Sequence, residues 1–421
     1  MDLGKSDPGN LGINSASGFS VLAYLLAIAV ACLLAGALSQ PANAQTLTTV
    51  HSFAGNPDGA LPTAKVIRDS DGNLYGTTTW GGATNYGTVF KINSQGVETI
   101  LHMFAGDPDG SVPWAGLVRD AQGNLYGTTT GGGTFNLGAV FKITKEGKEN
   151  VLHSFSGSPD GASPWAGLVL DAEGNVYGTT WYGGTGSCKA GSGATGCGTV
   201  YKLDVNGAET VLYSFAAGSD GPFPESDLIR DSQGNLYGTT QQGGKGSCNL
   251  FVQGCGTVFM VSKTGEETIL HSFAGYPTDG EGPEAGVIAG AKGSLYGTTY
   301  SGGIYGVGAV FELTASGAEK LVYSFGAVPN DGEYPSAVLV AGPAGNLYGT
   351  TQLGGGTGCS TAGCGTLFEL TRNGNEISVP LNYGAAGCIP DAPLTRDAAG
   401  NFYGTTANCG LGYGTVFKVT P

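Results

Sequence analysis

Asp120-Ala121-Gln122-Gly123-Asn124-Leu125-Tyr126-Gly127-Thr128-Thr129 is the stretch whose reading decides the fold. Gly123 marks a tight turn, and the aromatic and β-branched residues after it mark a short strand. The core of the stretch returns at Leu74, Val176, Leu236, Leu295, Leu347 and Phe402, each followed by Tyr-Gly-Thr-Thr. Successive copies lie 51, 51, 60, 59, 52 and 55 residues apart. Periods of about 50 residues suit propeller blades better than helical solenoids. No segment carries a sustained helical periodicity.

Working outward from Leu125, one repeat reads as four strands. Ala115–Arg119 is the first and Asn124–Thr129 the second; a Gly-rich loop then leads to Ala139–Ile143 and, after a turn at Lys145-Glu146-Gly147, to Asn150–Phe155. The ends of the chain complement each other. Thr46–Phe53 reads as a fourth strand with no blade before it, and Gly414–Val419 as a third strand with no fourth after it. The first can complete the last blade and remove an exposed sheet edge. The expected fold is an all-β, seven-bladed propeller of four-stranded antiparallel blades, spanning residues 45–421 and closed by the N-terminal strand.

The run Asp-x-x-Gly-Asn-Leu-Tyr-Gly-Thr-Thr, then Gly-Gly, Gly-Thr-Val-Phe-Lys, His-Ser-Phe and Asp-Gly-x-x-Pro, resembles the GloVer tandem repeat of exported bacterial proteins. The resemblance covers residues 46–421 and implies an extracytoplasmic β-repeat protein. It brings no established activity and no catalytic residues. Pro421 directly follows the last strand, so a C-terminal sorting tail is not expected.

Residues 1–44 differ from the rest. Val21–Leu38 is uncharged and rich in Ala and Leu, and Ala42-x-Ala44 fits signal-peptidase cleavage. A secreted, periplasmic or cell-surface location follows, with no membrane span in the mature chain. The formal charge of −15, without a basic patch, argues against nucleic acid as a partner. A monomer is expected.

Eight of the nine cysteines follow the leader. Cys188 with Cys197, Cys248 with Cys255, and Cys359 with Cys364 are local pairs, and Cys388 with Cys409 is feasible across two loops on one face. Four disulfides suit an oxidising compartment. Zinc is disfavoured because no histidine accompanies the pairs, and neither a metal nor a cofactor is expected.

The repeats act as an internal control: positions alike in every copy build the fold, and positions that differ are free for function. His51, His102, His153 and His271 occupy one outer-strand position, filled elsewhere by Tyr213, Tyr323 and Asn382. They read as packing or hydrogen-bonding residues. Asp58, Asp109, Asp160, Asp220, Asp279 and Asp331 each precede Gly and read as turn formers. Asp69-Ser70-Asp71-Gly72-Asn73 has the start of a calcium-loop pattern, but its counterparts lack the second Asp.

The residue leading into the first strand differs between copies: Thr63, Trp114, Trp165, Glu225, Glu284, Ser336 and Asp391. These seven are expected to ring the central channel on the face that also carries the loops after Thr-Thr. Those loops add Trp80, Trp181, Tyr182 and Tyr300. Aromatic faces stack on sugars or aromatic groups, and carboxylates accept hydroxyl hydrogen bonds. The expected function is an exported, noncatalytic binding or scaffold propeller with a carbohydrate or peptide ligand. The alternative is a polysaccharide hydrolase or lyase using Glu225, Glu284 and Asp391.

Overall fold

The computed structural model describes residues 46–420 except 190–194, 249–253, 357–362, 382–387 and 409. These residues build seven four-stranded antiparallel sheets, the blades of a propeller. In the second blade, Val118–Arg119 pairs with Leu125–Thr129, then Ala139–Ile143, then Glu149–Ser154. The seventh blade combines Thr395–Arg396, Phe402–Thr406, Thr415–Thr420 and the N-terminal strand Thr46–Ser52. Thr46 lies opposite Thr420 and Ser52 opposite Thr415, so the ring closes as the complementary ends require.

Each letter of the repeated motif has a physical duty. The leucine is buried in the core between blades. Where the hairpin carries an aspartate, the tyrosine hydroxyl donates to it from six residues on, as Tyr75 does to Asp69 at 2.9 Å and Tyr177 to Asp171 at 3.0 Å. The glycine leaves room for an aromatic ring of the third strand. A Cβ on Gly127 would lie 2.6 Å from Cζ of Phe141. In every copy but that of Thr179 the first threonine reaches the next blade: Thr128 Oγ1 donates to the Ala166 carbonyl at 3.0 Å and Thr405 to that of Ala64 at 3.0 Å. In five copies the second threonine meets a threonine of the third strand, as Thr78 meets Thr88 at 2.8 Å.

Blades are glued by aromatic edges. Phe53, Phe104, Phe215, Phe273 and Phe325, which end the outer-strand motif, each stand edge-on to a third-strand Phe of the next blade with centroids 5.1 Å apart. All these rings are fully buried, a large apolar contribution from each junction.

Two features depart from the sequence expectation. The innermost strand is only two residues long, Val118–Arg119 rather than Ala115–Arg119. The Ala115 carbonyl is instead taken by Thr77 of the preceding blade, at 2.9 Å. The loops on the channel-mouth face also pair with each other in five two-residue ribbons, such as Gly110–Ser111 with Gly131–Gly132. Cys188–Cys197 and Cys248–Cys255 are disulfides with Cα separations of 5.0 and 5.4 Å. Cys364 and Cys388 are disulfide-bonded as well. Cys359 and Cys409, expected as their partners, lie outside the described residues, as do Asn382 and the leader. No helix among the described residues is long and apolar enough to cross a membrane.

Candidate functional site

A repeated backbone device sets the variable ring. The residue before each proline adopts a left-handed conformation: Leu61, Val112, Ser163, Phe223, Tyr334 and Ile389 have φ between 52° and 65°. Only context can hold such side chains there. That context is a pair of hydrogen bonds per position. Val112 N–H donates to the Tyr86 carbonyl of the preceding blade at 2.8 Å, and its own carbonyl accepts from Thr130 at 3.1 Å. The following proline packs on a glycine of the preceding blade. Gly138 has φ +96°, and a Cβ there would lie 2.6 Å from Pro164 Cδ. The residue after the proline is thereby pinned at the channel mouth.

Thr63, Trp114, Trp165, Glu225, Glu284, Ser336 and Asp391 all line one cavity of about 320 Å³, together with Tyr300, Gln352, Lys65 and Asp227. The cavity is lopsided. Trp114 and Trp165 have centroids 4.9 Å apart, and Trp165 meets Trp181 edge-on at 4.7 Å. Trp181 continues onto Tyr182 at 4.8 Å and Phe223 at 6.1 Å. Trp181 and Tyr182 therefore support the aromatic wall from behind. Trp80 stands apart, 38% exposed in the ribbon with Ala60. Tyr300 stacks on Tyr334 at 5.0 Å on the acidic side.

Across from this wall, burial pushes the Glu225 carboxyl up to about 7, with repulsion from Asp391 adding to the rise. Oε2 of Glu225 is sealed from solvent and has no hydrogen-bond partner. Burial, then the charges of Glu225 and Asp391, push Glu284 up to about 8. Gln241 Nε2 donates to Glu284 at 3.3 Å. Asp391 accepts from Ser336 Oγ at 2.6 Å and from Gln352 Nε2 at 2.7 Å. Gln241 and Gln352 follow Thr-Thr directly, the position that also supplies Trp181 and Tyr300. Comparison of that position across copies identifies them as variable partners, but their orientation toward the acids is set by tertiary structure.

A second set of titratable groups lies at the blade junctions. His102 Nε2 is 3.0 Å from Asp109, His153 3.3 Å from Asp160 and His271 3.2 Å from Asp279. A glutamate opening the next outer strand, such as Glu98, Glu149, Glu209 or Glu319, brings a third ligand atom within 4.8 Å. These glutamates were not singled out from the sequence, because only the fold juxtaposes them with the histidines. Such sets hold potential metal ligands, yet Tyr213 and Tyr323 occupy the histidine place in two junctions and donate to Asp220 at 2.7 Å and Asp331 at 2.9 Å. The recurring feature is a bond to the aspartate, made at the described junctions except that of His51, whose Nε2 lies 3.8 Å from Asp58. The aspartate also caps its turn, as Asp58 does for Ala54 N–H at 2.8 Å. Asp69 is likewise committed, accepting from Asp71, Asn73 and Tyr75.

No functionally curated protein matches the sequence. Solved structures share the fold at low identity. Virginiamycin B lyase from Staphylococcus aureus is 15% identical, with a TM-score of 0.56 over 90% of this chain and 99% of its own. A puromycin-hydrolyzing peptidase of Mycobacterium tuberculosis is 13% identical, with a TM-score of 0.51 over 84% of this chain and 52% of its own. The Gloeobacter/Verrucomicrobia repeat matches residues 35–190 and 246–421, most of the sequence, and the chain belongs to that family.

Proposed function

We propose that the protein is an exported, noncatalytic binding propeller that takes a carbohydrate or a peptide at the mouth of its central channel. One observation carries this reading: the seven variable ring residues line a single cavity, aromatic on one arc and acidic on the other. Its volume of about 320 Å³ suits one sugar ring or one extended side chain. Disulfides and the apolar leader support an extracytoplasmic protein, with cleavage after Ala44. N-terminal sequencing of the exported product is expected to begin at Gln45. A glycan and peptide array, followed by thermal shift, tests the binding reading. Trp114→Ala combined with Trp165→Ala is expected to weaken any hit by at least about tenfold, because stacked indoles contribute much of such binding. Retained affinity in the double variant would discard the site.

A second reading rests on the two glutamates, pushed up to about 7 and about 8 so that each keeps part of its protonated form near neutral pH, beside a hydrogen-bonded aspartate. A hydrolase or lyase acting on polysaccharide needs one such acid and one ionised partner. This reading expects turnover of some polysaccharide that Glu284→Gln abolishes while the melting temperature holds.

A further inference from the structure

We infer that the ligand of the channel mouth presents an organic cation, the ammonium or guanidinium tip of a basic peptide side chain, to Glu225, Glu284 and Asp391. The inference rests on the binding reading above and deepens it. Its first support is the balance of donors and acceptors. Neutral donors beside the acids already serve them: Gln241 gives one N–H to Glu284, Gln352 one N–H to Asp391 and Ser336 its hydroxyl to Asp391. The acidic arc therefore offers a ligand chiefly carboxylate acceptors. A neutral sugar brings as many acceptors as donors and matches such an arc less well than a group that only donates. An ammonium has three donors and no acceptor, and a guanidinium has five.

Charge points the same way. Four acidic side chains, Glu225, Asp227, Glu284 and Asp391, share the lining with one lysine, Lys65. Among the described residues every ion pair within 4.0 Å involves a histidine, so Lys65 forms no such pair with these acids. Asp227 is used internally, accepting from Gly167 N–H at 2.6 Å. Once Glu225 and Glu284 are ionised, the mutual repulsion of the other three is left for a ligand to relieve. A bare metal ion fits poorly, because among the described residues only the junction His–Asp–Glu sets gather ligand atoms within 4.8 Å. An organic cation is larger and bonds each oxygen through its own N–H. Beside the acids, Trp114 and Trp165 supply flat faces for the hydrocarbon stem of a lysine or arginine, and indole is the best aromatic partner for a cation.

The test titrates the intact protein with Nα-acetyl-lysine amide and with its neutral counterpart, Nα-acetyl-norleucine amide, by calorimetry at about pH 6 and about pH 8.5. Glucosamine and N-acetylglucosamine form the sugar arms. The lysine probe is expected to bind at least about tenfold tighter than the norleucine probe at the higher pH. Its affinity should rise between the two pH values, as Glu225 and Glu284 lose their protons. The groups facing them are Asp391, Tyr182, Tyr300 and Gln241, with Lys65 and Asp227 elsewhere in the lining. Glu284→Gln and Glu225→Gln should each weaken the lysine probe about tenfold without lowering the melting temperature. Equal affinity for both peptide probes, no binding of the lysine probe at millimolar concentration, or indifference to both Gln variants would overturn the inference. Glucosamine binding while the lysine probe fails would keep the cation but reject the peptide. N-acetylglucosamine or norleucine-probe binding that Trp114→Ala plus Trp165→Ala abolishes would sink the cation and spare the cavity. Hits on the array that ignore the tryptophans would remove both.

Discussion

At the scale of single residues, the motif tolerates substitution only where space and conformation allow it. A Cβ on Gly127 would lie 2.6 Å from the Phe141 ring and 2.9 Å from Leu117, so Gly127→Ala forces repacking of a buried junction. Its expected cost is about 2 kcal/mol. A Cβ on Gly147 would meet nothing within 4 Å, and its φ of +87° is the sole objection to a side chain. Gly147→Ala should cost about 1 kcal/mol. Urea unfolding of the two variants checks the order, and equal midpoints would contradict the packing argument. The interblade threonines provide a second internal contrast. Thr128 Oγ1 donates to Ala166, whereas Thr179 Oγ1 is buried with no hydrogen-bond partner. Thr128→Val should lose about 1–2 kcal/mol by orphaning a buried carbonyl, and Thr179→Val should be neutral or stabilising.

At the scale of elements, strands two, three and four were legible in the sequence because each combines alternation with a Gly-marked turn. Ala139–Ile143 falls at the expected bounds, and Leu125–Thr129 within one residue of them. The innermost strand was read too long, because its apolar run Ala115-Gly116-Leu117 looks like strand, while the Ala115 carbonyl bonds a threonine of the neighbouring blade. The ribbons between loops were invisible, since Gly-Gly and Gly-Ala pairs carry no alternation to read. In blades five and six the aspartate of the hairpin is replaced by Gly290 and Gly342, and the turns become short 3-10 segments at Ala291–Gly293 and Pro343–Gly345. The ring residues were found because their position is fixed while their identity varies. Phe223, Gln241 and Gln352 were missed as site elements because their roles depend on what the neighbouring blade places opposite them. The junction glutamates were missed for the same reason.

At the scale of the whole molecule, the junction carboxyls act together. Burial, reinforced by Asp58, pushes Glu98 up to about 8. Burial and a neighbouring aspartate push Glu267, Glu319 and Glu376 up to about 7. The folded chain therefore holds more protons than the unfolded chain between the ordinary glutamate value and these raised values. Stability is full below that ordinary value and declines as pH rises through the folded values. Against burial, the neighbouring histidine, the glutamate carboxyl (Glu98 or Glu209) and backbone N–H groups hold Asp58 and Asp160 well below the usual aspartate range. Their contribution is lost only in stronger acid. The melting temperature is expected to fall by about 5 °C or more between about pH 5 and about pH 8. Glu98→Gln should flatten that slope, and a melting temperature that climbs across the window would refute the linkage. The closing strand pair has a mechanical corollary. Thr46 lies opposite Thr420 in an antiparallel register, so the two ends of the ring leave side by side. A force pulling them apart loads one hydrogen-bonded rung at a time, in the manner of a zipper, rather than all rungs together in shear. The propeller is thus bound together by buried aromatic junctions and weak against tension through its ends, a poor tether but a ring that opens at a single defined place.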